Sequence, residues 1–173
     1  YCRENALRAL YSSEDIHAVM QALEFLNANE QLLPHKKILA DGLLSFDKKE
    51  ELIPLLWKKM SEFHPRMQVN LLDYIRYASS NWKDEMLSML ETSQDMEIQI
   101  ACVRYFGRYQ DERSISFLLH HAEEEKEGFW ELQNACISAL AVYPGQQTLE
   151  ILKKETSSKN WYVRHNAAKS LAV

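Results

Sequence analysis

The sequence predicts an all-α fold, a solenoid built from antiparallel helix pairs. Three observations carry this. A short helical motif recurs six times at a nearly fixed interval. A second amphipathic segment lies between successive copies. Helix breakers are scarce, with four Gly and four Pro in 173 residues.

The motif is visible at the two extremes of the chain. YCRENALRAL opens it and YVRHNAAKSL closes it, and Arg3, Asn5, Ala6 and Leu10 fall on Arg164, Asn166, Ala167 and Leu171. The shared pattern is apolar, Arg, two variable residues, small, apolar, two variable residues, Leu. It recurs at His35–Leu43, Met67–Ile75, Ile98–Phe106, Leu132–Leu140 and Val163–Leu171. The starting points Cys2, His35, Met67, Ile98, Leu132 and Val163 are 33, 32, 31, 34 and 31 residues apart. Second helices are therefore expected near 1–11, 34–45, 66–77, 97–108, 131–142 and 162–173.

The intervening segments read DIHAVMQALEFL, ELIPLLWKKM, WKDEMLSMLE, SISFLLHHA and TLEILKKE. Ile16, Val19, Met20, Leu23 and Leu26 share one face of the first, and Leu52, Leu55, Leu56 and Met60 one face of the next. Apolar spacings of three and four residues identify helices. Asp47, three residues before Glu50, is placed to start a helix as a capping box. Asp111 and Ser12 hold similar cap positions. The linkers YSS, ASSN, YQD and YPGQQ are short, so neighbouring helices should run antiparallel. A period of 31–34 residues made of two helices is the signature of stacked helical hairpins, each too small to bury its apolar face alone.

Bulk composition bounds the function. The chain is 46% hydrophobic and 26% charged, an ordinary globular mixture, and is long enough for one domain spanning 1–173. No apolar run reaches the ~18 residues of a membrane span. Cys2, Cys102 and Cys136 are scattered and odd in number, which favours a reducing, cytoplasmic compartment over a disulfide framework. The net charge of −5 argues against nucleic acid, whose phosphates require a basic footprint. Neither a phosphate-cradling Gly-rich loop nor GxSxG nor HExxH is present, so the expectation is a non-catalytic chain with no cofactor and no metal.

NWYVRHNAAKSL resembles the second helix of a HEAT repeat, and DMEIQIACVRYFGRYQDERSISFLL resembles a fuller unit, with Gly107 and Asp111 in the turn. The resemblance covers the whole chain and is nearest to the short bacterial and bilin-lyase-like form. It implies a right-handed α-α superhelix of about five and a half repeats. The family's polar-ladder Arg is here Arg3, Lys36, Gln68, Gln99, Gln133 and Arg164, and Gln can donate to turn carbonyls in its place. Pro54 matches the Pro that often kinks a first helix of the family. Because the chain starts and stops on a second helix, with Ala167, Ala168, Leu171 and Val173 as bare apolar residues, it reads as a piece of a longer protein, one that could be membrane-anchored.

In such arrays the second helices line the concave side. Helical geometry then assigns Tyr1, Glu4, Arg8, Tyr11, Lys37, Asp41, Leu44, Arg66, Asp73, Arg76, Glu97, Arg104, Arg108, Glu131, Asn134, Ser138, Tyr162, His165 and Lys169 to that lining, with Tyr77 at its border. Arg76, Tyr77, Arg104 and Arg108 are the preferred anchors, with Asp73, Lys37 and His165 beside them. Arg and Tyr dominate binding energy at interfaces, and Arg forks onto carboxylates. The expected partner is an acidic or helical segment of another protein, met by a monomer. The plainer alternative is a solvated face with local pairs such as Asp73–Arg76. The family also implies two other readings, a nucleic-acid binder or base-excision relative, and a lyase-like handler of a tetrapyrrole.

Remaining features receive structural readings. His120 and His121 are adjacent and should diverge by 100°, too far to share a metal. Cys102 and Cys136 occupy one template position in successive repeats, as small residues in a tight slot. The Met residues are core filler, and the acidic run Glu123–Glu127 is a solvated helix end. Trp57, Trp82, Trp130 and Trp161 are expected to seal gaps between hairpins.

Overall fold

The structure is a computed structural model that describes residues 9–12, 15–34, 36–124 and 128–172, with residues 36 and 37 described by backbone only. Among the described residues there are ten α-helices of eight residues or more and no strand. None is long and apolar enough to cross a membrane. The opening helix, Tyr1–Leu10, lies almost wholly outside the described residues.

The chain divides into two compact units, Tyr1–Ser79 and Ser80–Val173. The first holds α1 (Ile16–Ala28), α2 (Lys36–Leu44), α3 (Lys49–Lys58) and α4 (Pro65–Ala78). There α3 packs on α4, α1 packs on α3, and α2 packs on α4. The second unit holds α5 (Lys83–Thr92), α6 (Met96–Phe106), α7 (Ile115–Ala122), α8 (Trp130–Leu140), α9 (Gln146–Glu155) and α10 (Trp161–Leu171). Its hairpins are α5–α6, α7–α8 and α9–α10. Its even helices form a row, α6 against α8 against α10, while α7 packs on α9. Every amphipathic segment expected as a helix within the described residues is one.

The rows are held by one apolar series. At template spacing of four, Met67, Leu71 and Ile75 are buried in α4, and Ile98, Cys102 and Phe106 in α6. Leu132, Cys136 and Leu140 continue it in α8, and Val163 and Ala167 in α10. Leu39 and Leu43 do the same in α2. Leu55, expected on the apolar face of α3, is 38% exposed, and Ile53 is buried instead. Tyr11 is buried as well, against α2. It packs so closely over Gly42 that a Cβ there would overlap its ring.

The turns before α4, α6, α8 and α10 are closed by the fourth residue of the helix that follows. Helical side chains lean toward the N-terminus, so a donor at this position reaches carbonyls in the preceding turn. Gln68 Nε2 donates to Met60 O (2.9 Å) and Phe63 O (2.8 Å). Gln99 Nε2 donates to Ser93 O (2.9 Å), and Gln133 Nε2 to Ala122 O (3.1 Å). Arg164 Nη1 donates to Ser158 O (2.7 Å) and Lys159 O (2.9 Å). Gln133 also donates to Glu155 Oε2 (3.3 Å), bringing a buried carboxylate of α9 to the same corner. Arg and Gln thus do the same work at this position.

Tyr143 locks the second unit in a different way. Its buried hydroxyl donates to Phe106 O (3.1 Å), accepts from the Asp111 backbone N–H (3.1 Å) and lies 3.0 Å from Ser114 Oγ. One phenol therefore ties the end of α6 to the start of α7.

The helix starts divide between expected and unexpected caps. Asp111 accepts from the Arg113 backbone N–H (3.0 Å), as its position suggests. For α1 the cap is Asp15, not Ser12, accepting from His17 N–H (2.9 Å) and Ala18 N–H (3.2 Å). The Asp47 capping box does not form. The first bond of α3 runs from Leu52 N–H to Lys48 O, which makes Lys48 the cap residue, with no side-chain acceptor.

Two substitutions test the packing. Leu140→Ala should cost about 2–5 kcal/mol, because the side chain is fully buried in the α8 series. Tyr143→Phe should cost about 1–3 kcal/mol by leaving the partners of a buried hydroxyl unsatisfied. Urea denaturation monitored by circular dichroism measures both.

Candidate functional site

Once the apolar series and the fourth-residue donor of each even helix are committed to packing, the first, second and fifth residues remain. In the second unit these positions carry aromatic rings. Trp130 is the first residue of α8; Trp161, Tyr162 and His165 are the first, second and fifth of α10.

The four rings form a continuous stack. Trp130 lies against Tyr162 at a centroid distance of 5.3 Å and 22°. Tyr162 meets Trp161 edge-on at 5.1 Å. Trp161 stacks on His165, one helical turn away, at 5.2 Å and 12°. The rings are exposed: Trp161 59%, Tyr162 55% and Trp130 36%. Aromatic pairs at such spacing attract each other, which fixes their mutual orientation without burying them.

The base beneath the stack is well fastened. Asn160 caps α10 by accepting from Tyr162 N–H (2.9 Å), and Arg164 pins the same turn. Asn166 Nδ2 donates to Asn134 Oδ1 (2.9 Å) between α10 and α8, and Ser170 Oγ donates to Ile137 O (3.2 Å). Glu131 and Lys169 stand exposed on the same two helices.

Tyr162 and His165 were among the residues expected to line a recognition face, and Trp130 and Trp161 were expected to seal gaps. The structure gives all four one open surface. The signal was present in the sequence: Trp161 is four residues before His165 and therefore shares its helical face.

The Arg-centred residues are distributed differently. Arg76, Tyr77 and Asp73 lie in the first unit, on α4, and Arg104 and Arg108 in the second, on α6. Asp73 is buried, and its carboxylate is 3.0 Å from Arg76 Nη2. Arg76 also donates to the Tyr77 hydroxyl (2.9 Å), with its guanidinium carbon 4.4 Å from the Tyr77 ring centroid. The local Asp73–Arg76 pair is therefore formed, and Tyr77 is 47% exposed beside it. Arg104 is exposed. Arg108 Nε donates to the Tyr109 hydroxyl (3.2 Å). His165 is separated from Arg104 and Arg108 by α8, so these three do not converge. The side chain of Lys37 lies outside the described residues, as do Tyr1, Glu4 and Arg8.

The two adjacent histidines depart from expectation. Rather than diverging, the rings of His120 and His121 lie 4.8 Å apart at 76°. His121 Nδ1 is 2.7 Å from Glu124 Oε2, and Phe117 packs on the His121 ring at 4.2 Å. In the first unit, an open groove of about 330 Å³ lies between α1 and α3, with Met20 and Leu55 in its lining and the Glu24–Lys59 ion pair at its edge.

Cys102 and Cys136 are both buried free thiols. Burial pushes the Cys102 thiol up to about 12 and raises Cys136 further, with the Glu124 carboxylate adding to the effect. Neither has the thiolate character that reactive cysteines need.

Comparison with family models, with curated proteins and with solved structures finds no match to this chain.

The thiols supply a direct check. Cys102 and Cys136 should resist iodoacetamide at pH 8 in the folded protein and react fully in urea, as counted by intact-mass spectrometry.

Proposed function

We propose that this chain is a non-catalytic recognition module, a HEAT-like α-solenoid that binds another protein through the exposed faces of its even-numbered helices. The single observation that carries the reading is the exposed four-ring stack Trp130–Tyr162–Trp161–His165 on α8 and α10. Trp and Tyr are the residues that most often supply hot-spot energy, and rigid rings lose little entropy when a partner covers them.

Supporting the solenoid reading are the row of α6, α8 and α10, the matching α2–α4 and α1–α3 packings, and the recurring donor at the fourth residue of α4, α6, α8 and α10. All three are what stacked helical hairpins require. The anchor is centred on the aromatic stack. Arg104 and Arg108, in the same unit, supply peripheral polar contacts; Arg76 and Tyr77 form a separate polar patch on α4 of the first unit. Rim charges of this kind steer association more than they hold the complex.

Base stacking on aromatic side chains is the competing use of such a surface. The negative net charge weighs against it, because single-stranded nucleic acid needs a cationic track for its phosphates.

The test pairs wild type with Trp161→Ala/Tyr162→Ala. These side chains are more than half exposed, so the variant should keep its helicity and denaturation midpoint. A photo-crosslinking residue at position 162 should yield a defined protein adduct in cells, and the Trp161→Ala change should reduce its yield at least about tenfold, the effect of a ~1.4 kcal/mol hot spot. Adducts to nucleic acid alone, or an unchanged protein adduct in the variant, would overturn the proposal.

A further inference from the structure

A feature at the loop end of the α7–α8 hairpin is not absorbed by partner recognition. His120 and His121 occupy the last turn of α7, and Glu124 follows just beyond it. One donor atom from each of the three lies within 4.8 Å of the others. We propose that His120, His121 and Glu124 form a binding site for a divalent transition-metal ion of the zinc class.

The donor set decides the class of ion. Two imidazoles with one carboxylate suit Zn²⁺ and its neighbours Co²⁺, Ni²⁺ and Cu²⁺, whereas Mg²⁺ and Ca²⁺ require oxygen donors almost exclusively. Bonds from zinc to such donors are about 2.0–2.2 Å long, so donors around one ion stand roughly 3.3–3.6 Å apart in a tetrahedral arrangement. The present spacings bracket that distance. The His121 Nδ1–Glu124 Oε2 contact of 2.7 Å opens slightly, and the His120 ring closes by up to about 1.5 Å, a movement within reach of its exposed side chain through rotamer changes.

The surroundings favour a cation. The last turn of a helix presents the negative end of its dipole, and α7 ends at Ala122. Phe117 holds the His121 ring on one face, and Glu124 already fixes one of its nitrogens. The nearby Lys154 ammonium pairs with Glu123 at 3.1 Å, so a carboxylate next to the site absorbs its charge. Three protein donors leave a coordination position for water or for an exogenous ligand.

The experiment titrates untagged, metal-free full chain with ZnCl₂ in competition with a chromogenic chelator. One Zn²⁺ per chain is expected, with affinity lowered at least about tenfold by His120→Ala and by Glu124→Gln. His120 is exposed, so its removal leaves the helical circular dichroism unchanged and separates lost binding from lost fold. Co²⁺ in place of Zn²⁺ should give visible absorption bands that disappear in His120→Ala. His165→Ala, at the aromatic stack, should leave both readouts unaltered. Absence of saturable Zn²⁺ binding, or binding that survives His120→Ala and Glu124→Gln, would overturn the assignment.

Discussion

The described α-helices are 8 to 14 residues long, too short to persist alone in water. Each must find a neighbour for its apolar stripe, and this constraint orders everything else. In the second unit α8 is covered by α6 and α10 on its flanks and by α7 from its own hairpin. Leu132, Cys136 and Leu140 are consequently buried together, with Ile137 and Ala139 filling the adjoining rows. The small residues in the series are a response to this crowding. Cys102, Cys136 and Ala167 sit at the middle of three successive even helices, where a larger side chain would hold the rows apart.

Commitment of these positions to packing leaves a defined remainder, and the candidate site is built from it. The first turn of an even helix has its fourth residue turned back onto the preceding loop and its core position turned inward. The first and second residues project outward. When they are aromatic, as in α8 and α10, their rings meet between helices at the separation that packing imposes. The stack is therefore organised by the backbone beneath it, through Asn134–Asn166, Ser170 and Arg164. A surface arranged in this way forfeits little conformational freedom on binding.

Much of the architecture was legible because it is periodic. Spacings of three and four located the helices, the interval of 31–34 residues located the pairs, and the short linkers gave their antiparallel sense. The donor role of Gln at the Arg position was also legible, since an amide can satisfy a carbonyl as a guanidinium can. What periodicity could not give was local frame and exposure. A one-residue shift at the start of α3 moved the cap from Asp47 to Lys48. The burial of Tyr11 depends on Gly42 of another helix, a contact invisible in either segment alone. Trp130 and Trp161 are outward because they precede the first core residue of their helices by two. Treating Trp as an apolar plug hid that. The convergence of His120 and His121 escaped for a related reason. The angle between adjacent Cα–Cβ vectors constrains where side chains begin, not where their rings end.

The neutral amides that close the hairpins have a consequence for the conditions under which the module can work. Gln68 and Gln99 hold their turns with uncharged donors that neither titrate nor gather counterions, unlike the guanidinium of Arg164 in α10. Screening by electrolyte weakens exposed ionic contacts but leaves an amide-to-carbonyl bond nearly untouched. The scaffold in these two hairpins is thus decoupled from the ionic composition of its surroundings, while exposed charges such as Arg104 stay responsive to it.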